Sequence, residues 1–216
     1  AAHKALVRAR QVAAFCAVLA IGAVAGAAFG YYNMKRAQEA EALSEKTRQM
    51  AQIARGEAEK LIVYLLDDFQ LELAPIGRLD IVAELAQRAL AYYRELPAQL
   101  RTPETERNRA LALVSYGSVL RMQAKADQAD APLAEAAKIL EALRGAGDTT
   151  ELTTVGLAKA KESQAGAHAT RLNLKEAIRL DGEALDLLKP LLAGPQPSRA
   201  VLRRDGQIRV GLGWAR

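Results

Sequence analysis

An uninterrupted run of uncharged residues is the feature that most constrains the fold of this chain. Residues 12–32 read VAAFCAVLAIGAVAGAAFGYY, which is 21 positions without Asp, Glu, Lys or Arg. At ~1.5 Å per residue, a helix of that length extends about 31 Å, which matches the hydrocarbon core of a bilayer. Arg10 and Lys35 flank the run, and Tyr31 and Tyr32 lie where interfacial aromatic residues are expected. The pattern predicts a single transmembrane helix and a single-pass membrane protein.

Two other interpretations of this run remain open. A cleaved signal peptide normally has a shorter apolar region, whereas this run continues into a charged helix without a clear turn. A buried core helix of this length without one polar side chain is uncommon. Three Lys or Arg residues lie near each end of the run, so the positive-inside rule does not determine which side the following domain occupies.

Three glycines recur every fourth residue within the run, at Gly22, Gly26 and Gly30. Small residues on one helix face allow two helix backbones to approach closely in lipid. We therefore expect this row to mediate self-association or packing against another membrane subunit, with the bilayer and other protein chains as partners. The alternative is that Gly and Ala are simply frequent in membrane helices.

Composition favours helix throughout the chain and leaves little for catalysis. The 216 residues are 50% hydrophobic but only 5% aromatic, with one Cys and two His. This argues against a strand-rich sandwich, a disulfide framework and a Cys-based zinc site. We find no paired carboxylates, no nucleophile with a base and no phosphate-binding loop, so we expect no enzymatic activity, no cofactor and no metal.

The net charge of +5 is concentrated at the two ends of the chain. Residues 1–32 carry +3 and residues 193–216 carry +4, whereas the intervening body is close to neutral. A basic stripe with interleaved aromatic residues is missing, which argues against nucleic-acid binding.

Breakers and capping residues divide the rest of the chain into helices. Pro75 and Gly77 interrupt the first of them, Thr102 before Pro103 predicts an N-cap, and Asp148 with Glu151 predicts another. The predicted helices cover about 33–73, 79–96, 103–125, 128–144, 149–171, 174–193 and 198–216. The first is either a coiled-coil stalk or a helix lying on the following domain. The predicted domains are a basic flank (1–11), the transmembrane helix (12–32), a juxtamembrane helix (33–78) and a helical-repeat domain (79–216).

Small residues recur with a period of 48 in the repeat domain. One register links Gly117, Ala165 and Gly213, and a second links Ala129 with Ala177 and Ala136 with Ala184. This spacing is typical of tetratricopeptide (TPR) helix pairs, in which small residues lie where helices A and B cross, although the usual period is about 34. Coincidence in an Ala-rich chain is the alternative. Asn108, Arg121, Lys161 and Trp214 are the candidate partner-binding residues, because A helices line the concave binding surface of such arrays.

Residues 57–97 resemble a segment of large bacterial signalling proteins through the motifs G-R-L-D and A-L-A-Y-Y. In that family a kinase, TIR, caspase-like or winged-helix head is joined to a C-terminal TPR array, in some members through one membrane span. The resemblance covers roughly residues 35–216 and implies an α-solenoid without catalytic residues, since no head motif is present. It also implies the bacterial inner membrane as the location.

We therefore expect an all-α protein, a membrane-anchored TPR-type interaction module that serves as a scaffold or sensor. The alternative function is a structural accessory subunit of a membrane complex, packed through its glycine row. The last predicted helix lacks a helix B, so we expect further chain or a partner protein to cover Leu212 and Trp214.

Overall fold

The computed structural model describes the backbone of residues 2–73, 75 and 77–215. It describes the side chains of residues 26, 29–66, 72, 73, 75 and 77–213. These residues form helices α1 (Ala2–Leu73), α2 (Leu79–Glu95), α3 (Pro103–Met122), α4 (Ala126–Gly145), α5 (Glu151–Thr170), α6 (Leu174–Leu192) and α7 (Arg199–Ala215), with a short 3-10 helix at Ala98–Leu100. The predicted all-α fold is therefore confirmed for the described residues.

The first helix is continuous from Ala2 to Leu73, and the chain then turns through Gly77, whose φ is +75°. The turn coincides with the predicted boundary between residues 78 and 79. The compact units divide elsewhere, at Ala1–Gly56 and Glu57–Arg216, so that the division falls within α1.

The predicted transmembrane helix is corrected by the structure. In the described part of the chain, none of the helices combines the length and the apolar character needed to cross a bilayer. The described part of α1 carries charged side chains on most of its turns from Lys35 onward, and charged side chains are costly within a bilayer. This finding contradicts the transmembrane component of the predicted fold and the single-pass location. The side chains of residues 12–25, 27 and 28 lie outside the described residues.

A 48-residue period governs the helices after α2. Helices α3, α5 and α7 begin at residues 103, 151 and 199, and α4 and α6 begin at residues 126 and 174. Thr102, Thr150 and Ser198 cap the first set, and the side-chain oxygen of each accepts a hydrogen bond from the backbone N–H three residues on, at 3.2, 3.4 and 3.2 Å. We name α3, α5 and α7 the A helices, and α4 and α6 the B helices.

The cap of α5 differs from the predicted one. Thr150 is its N-cap, and Asp148 lies two residues earlier, where it accepts hydrogen bonds from Thr150 Oγ1 and Thr153 Oγ1, each at 2.7 Å. Burial by itself would raise the pKa of the Asp148 carboxyl, but the hydrogen bonds from Thr150, Thr153 and Arg107 outweigh it and hold that pKa well below 3.8. Asp148 therefore stabilises the cap in its ionised form.

The turns within the two helix pairs share one backbone geometry. Ala124 and Leu172 lie 48 residues apart, and both have a φ of +60°, in the left-handed region. Such short turns join antiparallel helices, so α3 packs on α4 and α5 packs on α6. The interfaces are lined with small and aliphatic side chains that are almost fully buried, such as Leu133, Leu140 and Leu188, each with 0% exposure.

The last turns of α1 pack on α2 and α3 within the unit Glu57–Arg216. Leu66 and Tyr93 are buried in one apolar cluster. Beside them lies the carboxylate of Glu59, which is 2% exposed. It accepts hydrogen bonds from Tyr92 Oη at 3.1 Å and from Asn108 Nδ2 at 3.2 Å. These bonds give the buried carboxylate polar partners from two other helices and thereby fix the end of α1.

Candidate binding surface of the A helices

Two cavities in the described part of the chain are lined by residues of the A helices. The first, of about 370 Å³, is lined by aliphatic and charged side chains of α1, α3, α5 and α7, and we name it the apolar cavity. The second, of about 750 Å³, lies among α3, α5 and α7 and is lined by Arg121, Glu162, Gln207 and their neighbours; we name it the polar cavity. Lys159, Arg203 and Arg204 line both cavities.

A charged and hydroxyl-rich network forms the wall of the polar cavity. Ser118 of α3 and Ser163 of α5 are both buried, and their hydroxyl oxygens lie 2.7 Å apart. Glu162 is held from two sides, by Arg121 Nη2 at 3.7 Å and by Arg204 Nη1 at 3.4 Å. One carboxylate of α5 thus links α3 to α7 through two guanidinium groups.

A second carboxylate, that of Asp181 on α6, lies close to this network. The residue is 5% exposed, and its Oδ1 atom is buried without a hydrogen-bond partner in the described part of the chain. Burial and, to a lesser extent, the charge of Glu162 raise the pKa of Asp181 to about 7, against the opposing effect of Arg121. The carboxyl group therefore changes its charge state near neutral pH.

The four candidate partner-binding residues occupy different surroundings. Arg121 lines the polar cavity, and its guanidinium lies against Gly166. Asn108 lines the apolar cavity but is only 4% exposed and donates to Glu59. Lys161 faces the B helices, where it forms ion pairs of 2.9 Å with glutamates of α4 and α6. Trp214 lies outside the residues whose side chains are described.

The predicted helix crossings are close where both helices of a pair are present. A Cβ atom built on Gly117 would lie 2.6 Å from Leu133 Cγ and 3.4 Å from the Ala129 carbonyl oxygen, so only glycine fits there. The small residues at the other predicted crossings within the pairs are at most 1% exposed: Ala129, Ala136, Ala165, Ala177 and Ala184. Gly213 of α7 is exposed, and a Cβ atom there would meet nothing within 4 Å.

The predicted glycine row in α1 has a different environment. Gly26 and Gly30 are exposed, and a Cβ atom on either would meet nothing within 4 Å. Gly22 lies outside the residues whose side chains are described.

The sequence analysis did not predict two buried charged residues, Lys159, which lines both cavities, and Asp181. The 48-residue register nevertheless contains a signal for both: Lys159 occupies the position of Leu111 in the preceding A helix, and Asp181 occupies that of Leu133 in the preceding B helix. A charged residue at a position that is apolar one period earlier indicates a buried charge. Lys159 is indeed 7% exposed and Asp181 5% exposed.

Comparison with known proteins adds no relative to this description. No family model matches the chain, and no significant match exists among curated proteins or among solved structures. In the described part of the chain, no group of three or more His, Cys, Asp or Glu side chains is arranged to hold a metal ion.

Proposed function

We propose that the helical array of residues 79–215 is a TPR-like protein-interaction module, without catalysis of its own, that serves as a scaffold or sensor. Its partner presents an amphipathic helix, which packs on α7 and reaches into the polar cavity. Repetition of helix pairs supports this proposal, because stacked pairs expose long faces on which another chain can bind.

The observation that carries the proposal is an exposed apolar face on α7. Leu202 and Val210 are 53% and 62% exposed, and with Gly206 they follow the i, i+4, i+8 spacing of one helix face. All three line the polar cavity. One period earlier, on α5, the positions of Leu202 and Gly206 are occupied by Thr154 and Ala158, which are 4% and 0% exposed.

This difference between α5 and α7 favours a helix as the bound element. On α5 the corresponding positions are covered by helical packing, and Ala158 belongs to a buried cluster with Leu188 and Ile208 of the next helices. A partner helix that packed on α7 would bury the same face in the same manner. Gly206 would allow its backbone to approach closely, since a Cβ atom at Gly206 meets nothing within 4 Å.

The test is selection of helical peptides on the immobilised full chain, followed by titration of the selected peptides by fluorescence anisotropy. We expect Leu202→Asp or Val210→Asp to weaken binding about tenfold or more, because each places a charge in an apolar interface. Leu172→Asp is the matched control: Leu172 is 84% exposed, lies in the α5–α6 turn and does not line either cavity. Selection of no peptide, or equal binding to the Leu202→Asp variant and the unmodified chain, would reject the proposal.

A further inference from the structure

The apolar cavity is bounded by residues near the end of α1 and by three A helices. Its volume of about 370 Å³ lies within the range of about 300–1,000 Å³ that is common for small-molecule sites. Aliphatic side chains from α1 (Val63, Leu66), α3 (Leu111, Val114) and α5 (Val155) form much of its lining. An alkyl chain would find apolar contacts there on three sides.

Basic residues outnumber acidic ones in the lining of this cavity. The basic side chains are Lys60, Arg107, Lys159, Arg203 and Arg204, and the acidic ones are Glu104 and Glu151. Three of the cations are engaged by carboxylates from outside the lining: Lys60 by Glu57 at 2.9 Å, Arg107 by Asp148 at 3.1 Å and Arg204 by Glu162 at 3.4 Å. Arg203 forms no ion pair with any residue that the structure describes. Lys159, at 7% exposure, lies in the same wall and already has an interaction partner within the chain.

Helix ends add to the positive charge of Arg203. The first turns of α3, α5 and α7 all contribute to the lining, through Glu104, Leu152 and Ala200. Each helix start carries a partial positive charge from its aligned peptide dipoles. An anionic group beside Arg203 would therefore be attracted by its guanidinium and, more weakly, by these helix starts.

We propose that the apolar cavity binds a small amphipathic anion, an alkyl chain that ends in a carboxylate. The chain would lie against Val63, Leu66 and Leu111, and the carboxylate would accept hydrogen bonds from the guanidinium of Arg203. This site is separate from the exposed face of α7, because neither Leu202 nor Val210 lines the apolar cavity. Arg203 lines both cavities, whereas Leu202 and Val210 line only the polar cavity. Leu202→Asp should therefore weaken binding of a partner helix and leave binding of the small anion unchanged.

The experiment is calorimetric titration of the full chain with decanoate below its micelle concentration, beside decanol, decylammonium and acetate. We expect decanoate to bind with a stoichiometry of one, and to bind about tenfold or more tightly than decanol, because only decanoate offers a charge to Arg203. Acetate lacks the apolar contacts, decylammonium has the wrong charge, and neither should saturate the site.

Two variants on the same helix test the role of the guanidinium. Arg203→Ala should weaken decanoate binding about tenfold or more. Arg199→Ala removes an exposed arginine one turn earlier that lines neither cavity, and it should leave the affinity within about twofold. Circular dichroism of each variant establishes that the helices are retained.

Three outcomes would overturn the proposal. One is the absence of saturable decanoate binding, and another is equal affinity for decanoate and decanol. The third is that decanoate does not bind, whereas a peptide with a free terminal carboxylate binds at this cavity and loses its affinity in Arg203→Ala. That result would assign the cavity to a protein partner.

Discussion

Replacing Asp181 with Asn removes a buried charge while it leaves the shape of the side chain almost unchanged. Asp181 is 5% exposed, and its Oδ1 atom has no hydrogen-bond partner among the described residues. The charged groups around it come from the neighbouring A helices, Glu162 on α5 and Arg121 on α3, and its Oδ2 atom lies near Gly211 of α7. The substitution therefore tests whether the junction of these helices is destabilised by an ionised carboxylate.

The magnitude follows from the pKa of this group. Burial raises the pKa of Asp181 to about 7 from an ordinary value of 3.8, and at ~1.4 kcal/mol per pKa unit this difference corresponds to about 4 kcal/mol. Because the folded-state pKa is the higher one, the unfolded chain releases this proton first as the pH rises. The contribution of Asp181 to the free energy of unfolding is therefore largest below about pH 4, falls between about pH 4 and about pH 7, and stays low above that range.

The assay is urea unfolding of the full chain, followed by far-UV circular dichroism from about pH 4 to about pH 8.5. Asp181→Asn should match the unmodified chain at the acid end and exceed its unfolding free energy by up to about 4 kcal/mol at the alkaline end. Asp186→Asn is the control, because that side chain is 68% exposed on the same helix, and it should change stability by no more than about 0.5 kcal/mol at any pH. If the unfolding free energies of Asp181→Asn and the unmodified chain differ by the same amount at every pH, the reasoning is refuted.

The remaining predictions concern packing and caps, and all are measured by chemical unfolding. Gly117→Ala should destabilise the chain by about 1–3 kcal/mol, because the added Cβ would lie 2.6 Å from Leu133 Cγ; Gly182→Ala, where nothing lies within 4 Å, should instead stabilise it by up to about 1 kcal/mol. Thr150→Ala should cost about 1 kcal/mol through loss of the α5 cap. Asp148→Asn should cost about 1.5–3 kcal/mol at neutral pH. Because the folded-state pKa of Asp148 is lowered, this difference should shrink as the pH falls from about 4 towards that lower value; a constant difference would contradict the capping role.

Much of the helical framework could be predicted from the sequence, because its signals are local. Thr102 before Pro103 defines the start of α3, and the structure has the predicted cap with Thr102 accepting from the Thr105 backbone. The start of α5 was predicted less accurately, because Asp148 and Thr150 both have side chains that can cap, and only the three-dimensional arrangement shows that Asp148 supports Thr150.

The transmembrane prediction illustrates the opposite case. Residues 12–32 have the length and the lack of charge that are typical of a membrane span, and the finding for the described helices contradicts this prediction. The buried polar contacts could not have been predicted at all, because they join residues far apart in sequence. Glu59, for example, accepts hydrogen bonds from Tyr92 and Asn108, 33 and 49 residues away, and no local pattern specifies such a pairing.

The candidate binding surface contains positions at which the two helix pairs differ in sequence. Positions that build the framework keep their character after 48 residues: Thr102 and Thr150 both cap a helix, and Ala124 and Leu172 share one turn geometry. Positions that face the cavities change their character over the same interval: Leu111 on α3 corresponds to Lys159 on α5. Capping and turn residues therefore set the helical framework, whereas the residues that change between the two helix pairs set the chemistry of the cavity wall.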